Sequence, residues 1–290
     1  MKRLNNIGKI GILLVIVLTL TSCVERQEIE RQAYVVAIGL DKGEEEGTVK
    51  ITYLISNPEF GSQPQGGGAP PNEPPVEIIS FEANDLITAR NRANTVIAKQ
   101  ISYDLLRTMI ASEEFARDEN FIRWAYDATK DTDIRRDNRF IVSKENASEF
   151  IQNNKPNLET RPHRYFEFIL RRGIETGTIP DGILNHFFRI TEAKADLFLA
   201  IYATSEEPDN PKPASEGLDF KADEFSYEGN TNPVVLAGAA LFKEGRMIDT
   251  LTVKELRMTI LLNNELQATD MLTTFQDPMD DRYRIATRIN

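Results

Sequence analysis

Apolar and polar positions change rhythm several times along the chain. Residues 10–20 (IGILLVIVLTL) form an unbroken apolar stretch behind the basic Lys2, Arg3 and Lys9. At about eleven residues it is too short for the roughly 20 that cross a bilayer and fits the apolar region of an export signal. From Ala33 to Leu40 a second apolar run leads into the turn formers DKGEEEG, and TVKITYLI then places Val49, Ile51, Tyr53 and Ile55 on one side at period two. This pattern predicts a β-hairpin with a buried face. Residues 57–75 (NPEFGSQPQGGGAPPNEPP) sustain neither helix nor strand, because glycine is too free and proline lacks the donor that either requires.

After this loop, strand-like and helical patterns alternate. VEIISF predicts a strand. Residues 84–99 predict a helix with Leu86, Ala89, Ala93 and Ile97 on one face and Asn84 as its cap. YDLLRTMIA predicts a second strand, Ser112 caps a helical stretch to about Ala128 that Asp118 to Asn120 can break, NRFIVS predicts a third strand, and ENASEFIQ a short helix. Strands separated by helices imply parallel pairing through crossover helices. Two more helical patterns follow, RPHRYFEFILRRGIETG and PDGILNHFFRITEA, the second with Pro180 at its start, where a missing N–H costs nothing. DLFLAIYA predicts a strand.

Residues 204–233, rich in Pro, Asp, Glu and Ser, read as a linker or long exposed connection, and the main domain boundary is expected there. Beyond it, VVLAGAALFKEGRMIDTL predicts two strands around the turn KEGR, TVKELRMTILLNN a helix from Val253, and DDRYRIATRIN a last strand with nothing after it to pair with. The fold class is α+β, with mixed sheets and packed helices in two to three domains. The expected organisation is a signal peptide at 1–22, an α/β domain at 23–155 with the loop 57–75, a helical middle region at 156–203, the linker 204–233, and a C-terminal α+β domain at 234–290. A compact unit of about 65 residues without disulfide or metal is near the lower limit for folding alone, so the C-terminal domain reads as incomplete.

The single cysteine changes the picture at the other end. Leu20, Thr21, Ser22 and Cys23 follow the apolar stretch directly and resemble a bacterial lipobox, whose cysteine is lipidated and becomes the new N-terminus. The alternatives are an ordinary secretory signal with an incidental Cys23, or an uncleaved anchor. One acyl chain binds a membrane marginally and two bind stably, at about 0.8 kcal/mol per buried methylene. With one cysteine no disulfide forms within the chain.

Charge narrows the partners. The chain has 45 acidic and 34 basic residues, a net charge of −11, which becomes −14 once the three basic residues of the signal are removed. Such a surface repels nucleic acid and, on average, anionic head groups, so attachment relies on acyl chains.

The stretch SCVERQEIERQAYVVAIGLDK, Ser22 to Lys42, resembles the start of the C-subunit lipoproteins of spore nutrient germinant receptors, the Ger(x)C family. The matching positions are Glu25, Arg26, Glu28, Ile29, Ala33, Val35, Ile38, Gly39 and Asp41. IRRDNRFIVSKENASEFI and AGAALFKEGRMIDTL are similar to later family segments and occur in family order. Val24 stands where an aromatic is common, and 62–75 looks like an insertion. The resemblance implies a three-domain lipoprotein, anchored through Cys23 on the outer face of the spore inner membrane and assembled with the integral membrane A and B subunits. Arg26 and Glu28 are then either a docking epitope beside the membrane or a solvated start to the fold. Gly39 and Gly238 read as places of close strand packing or of a special backbone angle, ahead of ligand contact.

Catalytic patterns are scarce. His163 and His186, the only histidines, are too far apart for a local zinc motif, and no nucleophile elbow, Walker loop or dinucleotide fingerprint occurs. Arg135, Arg136 and Arg139 interleave with Asp131, Asp133 and Asp137 as a salt-bridged loop, and Trp124 and Tyr126 read as core or rim. The expected protein is not an enzyme and holds no cofactor beyond the lipid on Cys23. The rival reading is a solute-binding lipoprotein of an import system, which requires two α/β lobes around a cleft.

Overall fold

The structure, a computed structural model, describes residues 31–56, 76–128, 130–193, 197–263, 268–280 and 282–289. The chain divides into two units, Met1–Gln32 and Ala33–Asn290, and the described residues fall almost wholly in the second. Its strands are β1 (Gln32–Lys42), β2 (Val49–Ser56), β3 (Val76–Ala83), β4 (Gln100–Ser102), β5 (Thr108–Ser112), β6 (Arg139–Ser143), β7 (Phe198–Thr204), β8 (Val235–Lys243), β9 (Arg246–Leu251), β10 (Met271–Gln276) and β11 (Arg284–Ile289). Its α-helices are α1 (Leu86–Val96), α2 (Glu113–Ala116), α3 (Phe121–Asp127), α4 (Ala147–Asn153), α5 (Pro162–Glu175), α6 (Leu184–Ala193) and α7 (Val253–Leu262).

Nine strands form one mixed sheet in the order β3-β2-β1-β5-β6-β7-β8-β9, with β4 paired to β1. The centre, β1-β5-β6-β7, is parallel, and antiparallel strands flank it on both sides. That arrangement explains the unbroken apolar run of β1, whose first ten residues are all buried. A strand with helices on both faces has no solvent side to which polar residues can alternate. A bulge between Val35 and Ala37 shifts the pairing with β2, so the alternation of β1 changes phase there. Val35 and Ile38 accordingly belong to one core, Val36 and Ala37 to the other.

The first core is covered by α1, α3 and α6 through Leu86, Phe121, Trp124 and Phe187, the second by α4 and α5 through Phe150, Ile151, Phe166 and Leu170. Trp124 is therefore core, and Tyr126 packs at its margin, stacked on Phe188 with ring centroids 5.2 Å apart.

Several expectations are corrected. No domain boundary falls at 204–233: β7 pairs antiparallel with β8 from Phe198↔Phe242 to Thr204↔Val235, across that segment. Phe242 lies 5.4 Å from both Phe140 and Phe187, so β8 shares the aromatic core of β6 and α6. Residues 205–234 are a surface excursion that returns the chain to its own sheet, held where Val253 donates to the Phe220 carbonyl and Lys254 to that of Leu218. A long exposed connection has a linker's composition whether or not it separates domains. Nor is 156–203 a separate helical region, since α5 and β7 belong to the same cores as the preceding strands.

The last strand does have a partner. β10 precedes β11 and pairs with it from Met271↔Ile289 to Gln276↔Arg284. With two threonines and a glutamine among six residues, β10 gives only a faint strand signal. The cap of α1 is Asp85 rather than Asn84, accepting from the Thr88 N–H at 2.6 Å. Pro180 lies before α6, which begins at Leu184. Asp131 and Asp133 pair with Arg90 of α1 instead of the neighbouring arginines.

Candidate functional site

Cys23, Arg26 and Glu28 lie outside the described residues. The second half of the same signature is in β1 and has a structural explanation. Asp41 is buried, and its carboxylate accepts from the N–H of Ala147 at 2.6 Å and of Ser148 at 3.0 Å. These are two of the unpaired donors at the start of α4, whose own N-cap residue, Asn146, makes no side-chain cap. Two residues earlier, a Cβ on Gly39 would stand 2.9 Å from Ile151 Cδ1 and 3.3 Å from Ala147 Cβ. Glycine lets α4 lie directly on β1, and Asp41 then ties the helix down. IGLDK and ENASEFI, more than 100 residues apart, are thus one contact.

The third family-like segment forms the β8–β9 hairpin. KEGR is its turn, with Glu244 at φ 51° and Gly245 at φ 81°, the two positive values of a type I′ hairpin.

Several other buried polar groups are engaged within the body. Glu145 accepts from Thr204 Oγ1 at 2.8 Å, Ser205 N at 2.7 Å and Ser205 Oγ at 2.6 Å, joining the ends of β6 and β7. Tyr53 and Tyr103 share a hydroxyl contact of 2.9 Å, and Arg90 lies over the Tyr103 ring while pairing with Asp131 and Asp133. Burial pushes the Tyr103 phenol up to about 12. Arg257 pairs with no carboxylate among the described residues: its guanidinium donates to the carbonyls of Thr176, Gly177 and Leu272, fixing α7 to the end of α5 and to β10. A cation at that position complements the negative end of a helix. Among the described residues no group of three or more His, Cys, Asp or Glu could hold a metal ion, and no helix is long and apolar enough to cross a membrane.

Two open features remain. A crevice of about 240 Å³ in the excursion is lined by Lys212, Asp219, Phe220, Glu224 and Phe225, and the Phe220 and Phe225 rings are 5.0 Å apart. On α5, Phe168 is exposed between two guanidiniums, Arg164 at 5.4 Å and Arg171 at 5.3 Å from its ring centre. The spacing of these residues, i, i+4 and i+7, puts them on one helix face.

In the first turn of α5, His163 Nδ1 is buried without a hydrogen bond. Burial, then the charges of Arg107, Arg161 and Arg164, hold its pKa below the ordinary 6.5. Because the folded pKa is depressed, the unfolded chain takes up the proton first as pH falls through 6.5, and stability is lost in that direction. An NMR titration of the His163 imidazole is expected to give a midpoint below 6.5. His163→Gln should flatten the fall in stability between pH 7 and pH 5, and a midpoint at or above 6.5 would contradict the packing described.

The fold and its surfaces define an α+β body whose buried polar groups mainly serve its own packing. Residues 25–204 match the family described as spore germination protein N-terminal domain, and the chain belongs to that family. It is 25% identical over 140 residues to spore germination protein KC of Bacillus subtilis (strain 168), covering 48% of this chain and 34% of that one. YfkR of the same strain, named for spore germination, is 23% identical over 267 residues, covering 92% of this chain and 63% of its own. The chain thus spans less than two thirds of the length of either relative. No solved structure matches.

Proposed function

We propose that the chain is the lipid-anchored C subunit of a spore nutrient germinant receptor, a non-enzymatic component that assembles with membrane A and B subunits on the extracytoplasmic face of the spore inner membrane. The observation that carries the reading is where the family match begins. It starts at residue 25, two residues beyond Cys23, where a lipobox would leave the mature N-terminus. The expected export signal, the lipidated cysteine and the family body then follow one another without a gap.

Anchoring acts through concentration. Two or more acyl chains hold the body at the membrane, and confinement to two dimensions raises the effective concentration of neighbouring subunits, so weak lateral contacts suffice for assembly. Polypeptide outside the cytoplasm lets the body meet extracytoplasmic surfaces of its partners, with Arg26 and Glu28 close to the anchor as candidate docking residues. The importer alternative requires two lobes around a cleft, whereas the described core is one nine-stranded sheet.

Crosslinking in spore inner membranes, followed by mass spectrometry of what is recovered with the chain, tests the proposal. Recovery of the A and B subunits is expected, and recovery of an importer permease would overturn it. Cys23→Ala should release the protein from the membrane fraction and impair nutrient germination. Wild-type localisation and germination in that variant would remove the anchor from the account.

A further inference from the structure

The exposed face of α5 has a combination that neither packing nor family membership accounts for. Phe168 presents its ring to solvent with the guanidiniums of Arg164 and Arg171 stacked on it, and neither arginine makes an ion pair among the described residues. Leu158, in the loop leading into α5, is fully exposed. Arg161 lies at the N-cap of the helix, its guanidinium held by Glu159. An apolar ring flanked by long cationic side chains suits the boundary between head groups and acyl chains, where the ring is partly desolvated and the guanidiniums meet phosphate.

Charge and tether length favour lipid over a protein partner. Ten Cα–Cα steps separate Cys23 from Ala33. Fully extended, they reach about 35 Å, so an anchored body stays beside the bilayer. With a net charge of −14 once the signal is removed, most orientations bring negative surface toward anionic head groups. A face with unpaired arginines around an apolar ring lowers that repulsion locally, at a gain of about 1 kcal/mol per cation near an anionic surface. Arg107 and Arg161 add positive charge around the first turn of α5, where, after burial, they and Arg164 lower the His163 pKa.

From this geometry we infer that α5 is the membrane-facing element of the body, with Phe168 and Leu158 at head-group level and Arg164 and Arg171 on the phosphates of anionic phospholipid. The inference rests on the lipid-anchor reading. It assigns the anchored body a preferred orientation on the bilayer.

The test uses the lipidated full chain in vesicles, with a nitroxide on Glu167→Cys, an exposed position on the same helix, Cys23 being occupied by lipid. Collision of the label with oxygen, which enters the bilayer, is compared with collision with a water-soluble nickel complex. The oxygen-to-nickel ratio is expected to be severalfold higher in phosphatidylglycerol vesicles than in phosphatidylcholine vesicles. Arg164→Glu with Arg171→Glu should return it to the phosphatidylcholine value while the protein still floats with the vesicles and melts as the parent does. Phe168→Ala should lower it partway. A label equally open to nickel in both lipids, on protein that floats, overturns the orientation and leaves the anchor standing. Protein that fails to float sinks the anchor reading, and the orientation with it.

Discussion

Replacing Gly238 with alanine is expected to destabilise the protein by about 3–5 kcal/mol, enough to leave little folded protein at 37 °C if overall stability is ordinary. Gly238 has φ 80°, a backbone region that costs an L side chain about 1–2 kcal/mol. The larger cost is steric. A Cβ there would fall far inside van der Waals contact distance of the Leu251 carbonyl oxygen and 3.3 Å from Lys221 Cβ. The blocked group is backbone in a paired strand and cannot rotate away, so β8 must shift or β9 detach. Shifting β8 would also break the bond from the Gly238 N–H to the Thr178 carbonyl, 2.9 Å long, which joins the sheet to the segment after α5. Urea unfolding of the variant is the measurement, and a loss below about 1 kcal/mol would show that the β8–β9 register differs from the one described.

Asp41→Ala should cost about 2–3 kcal/mol, because it leaves the Ala147 and Ser148 N–H groups buried with no acceptor. Asp41→Asn keeps one acceptor oxygen and should lose less. The expected order in urea midpoint is wild type, then Asn, then Ala, at unchanged m. Equal midpoints would mean that α4 finds its cap elsewhere. The effect should also be local: hydrogen exchange in α4 should rise before that of β5 and β6, since the deletion releases the helix and leaves the parallel ladder intact. This places Asp41 of the family signature in folding and removes it from any list of ligand contacts.

Most elements were legible from periodicity because most strands and helices here are amphipathic or wholly apolar in the pattern their position demands. The β1–β2 hairpin, β6, β7, α4 and α5 all emerge that way. Two kinds of feature escaped. β10 has little apolar periodicity of its own: Met271 is buried, while Leu272, Thr274, Phe275 and Gln276 face solvent, so its strand character comes from pairing with β11. The status of 205–234 depends on what β8 meets on its return, and no local window contains Phe140 and Phe187, the rings that receive Phe242.

The candidate surface was readable only in part. Cys23 stands out because an apolar run, small residues and a thiol are adjacent in the chain, and adjacency is what a sequence displays. Arg164, Phe168 and Arg171 read in sequence as part of an ordinary helix, although their spacing of four and three residues puts them on one face. What that spacing lacked was the side of the helix that is covered.

The sequence by itself determined the export-like start, the lipidation candidate, the α+β class and the family, because each rests on residue order or local period. Tertiary structure alone decided that one sheet crosses the expected domain boundary, that Gly39 and Asp41 serve α4, and that Phe168 stays exposed between two arginines. Those are relations between residues up to about a hundred positions apart, and they exist only once chain closure has brought their surfaces together.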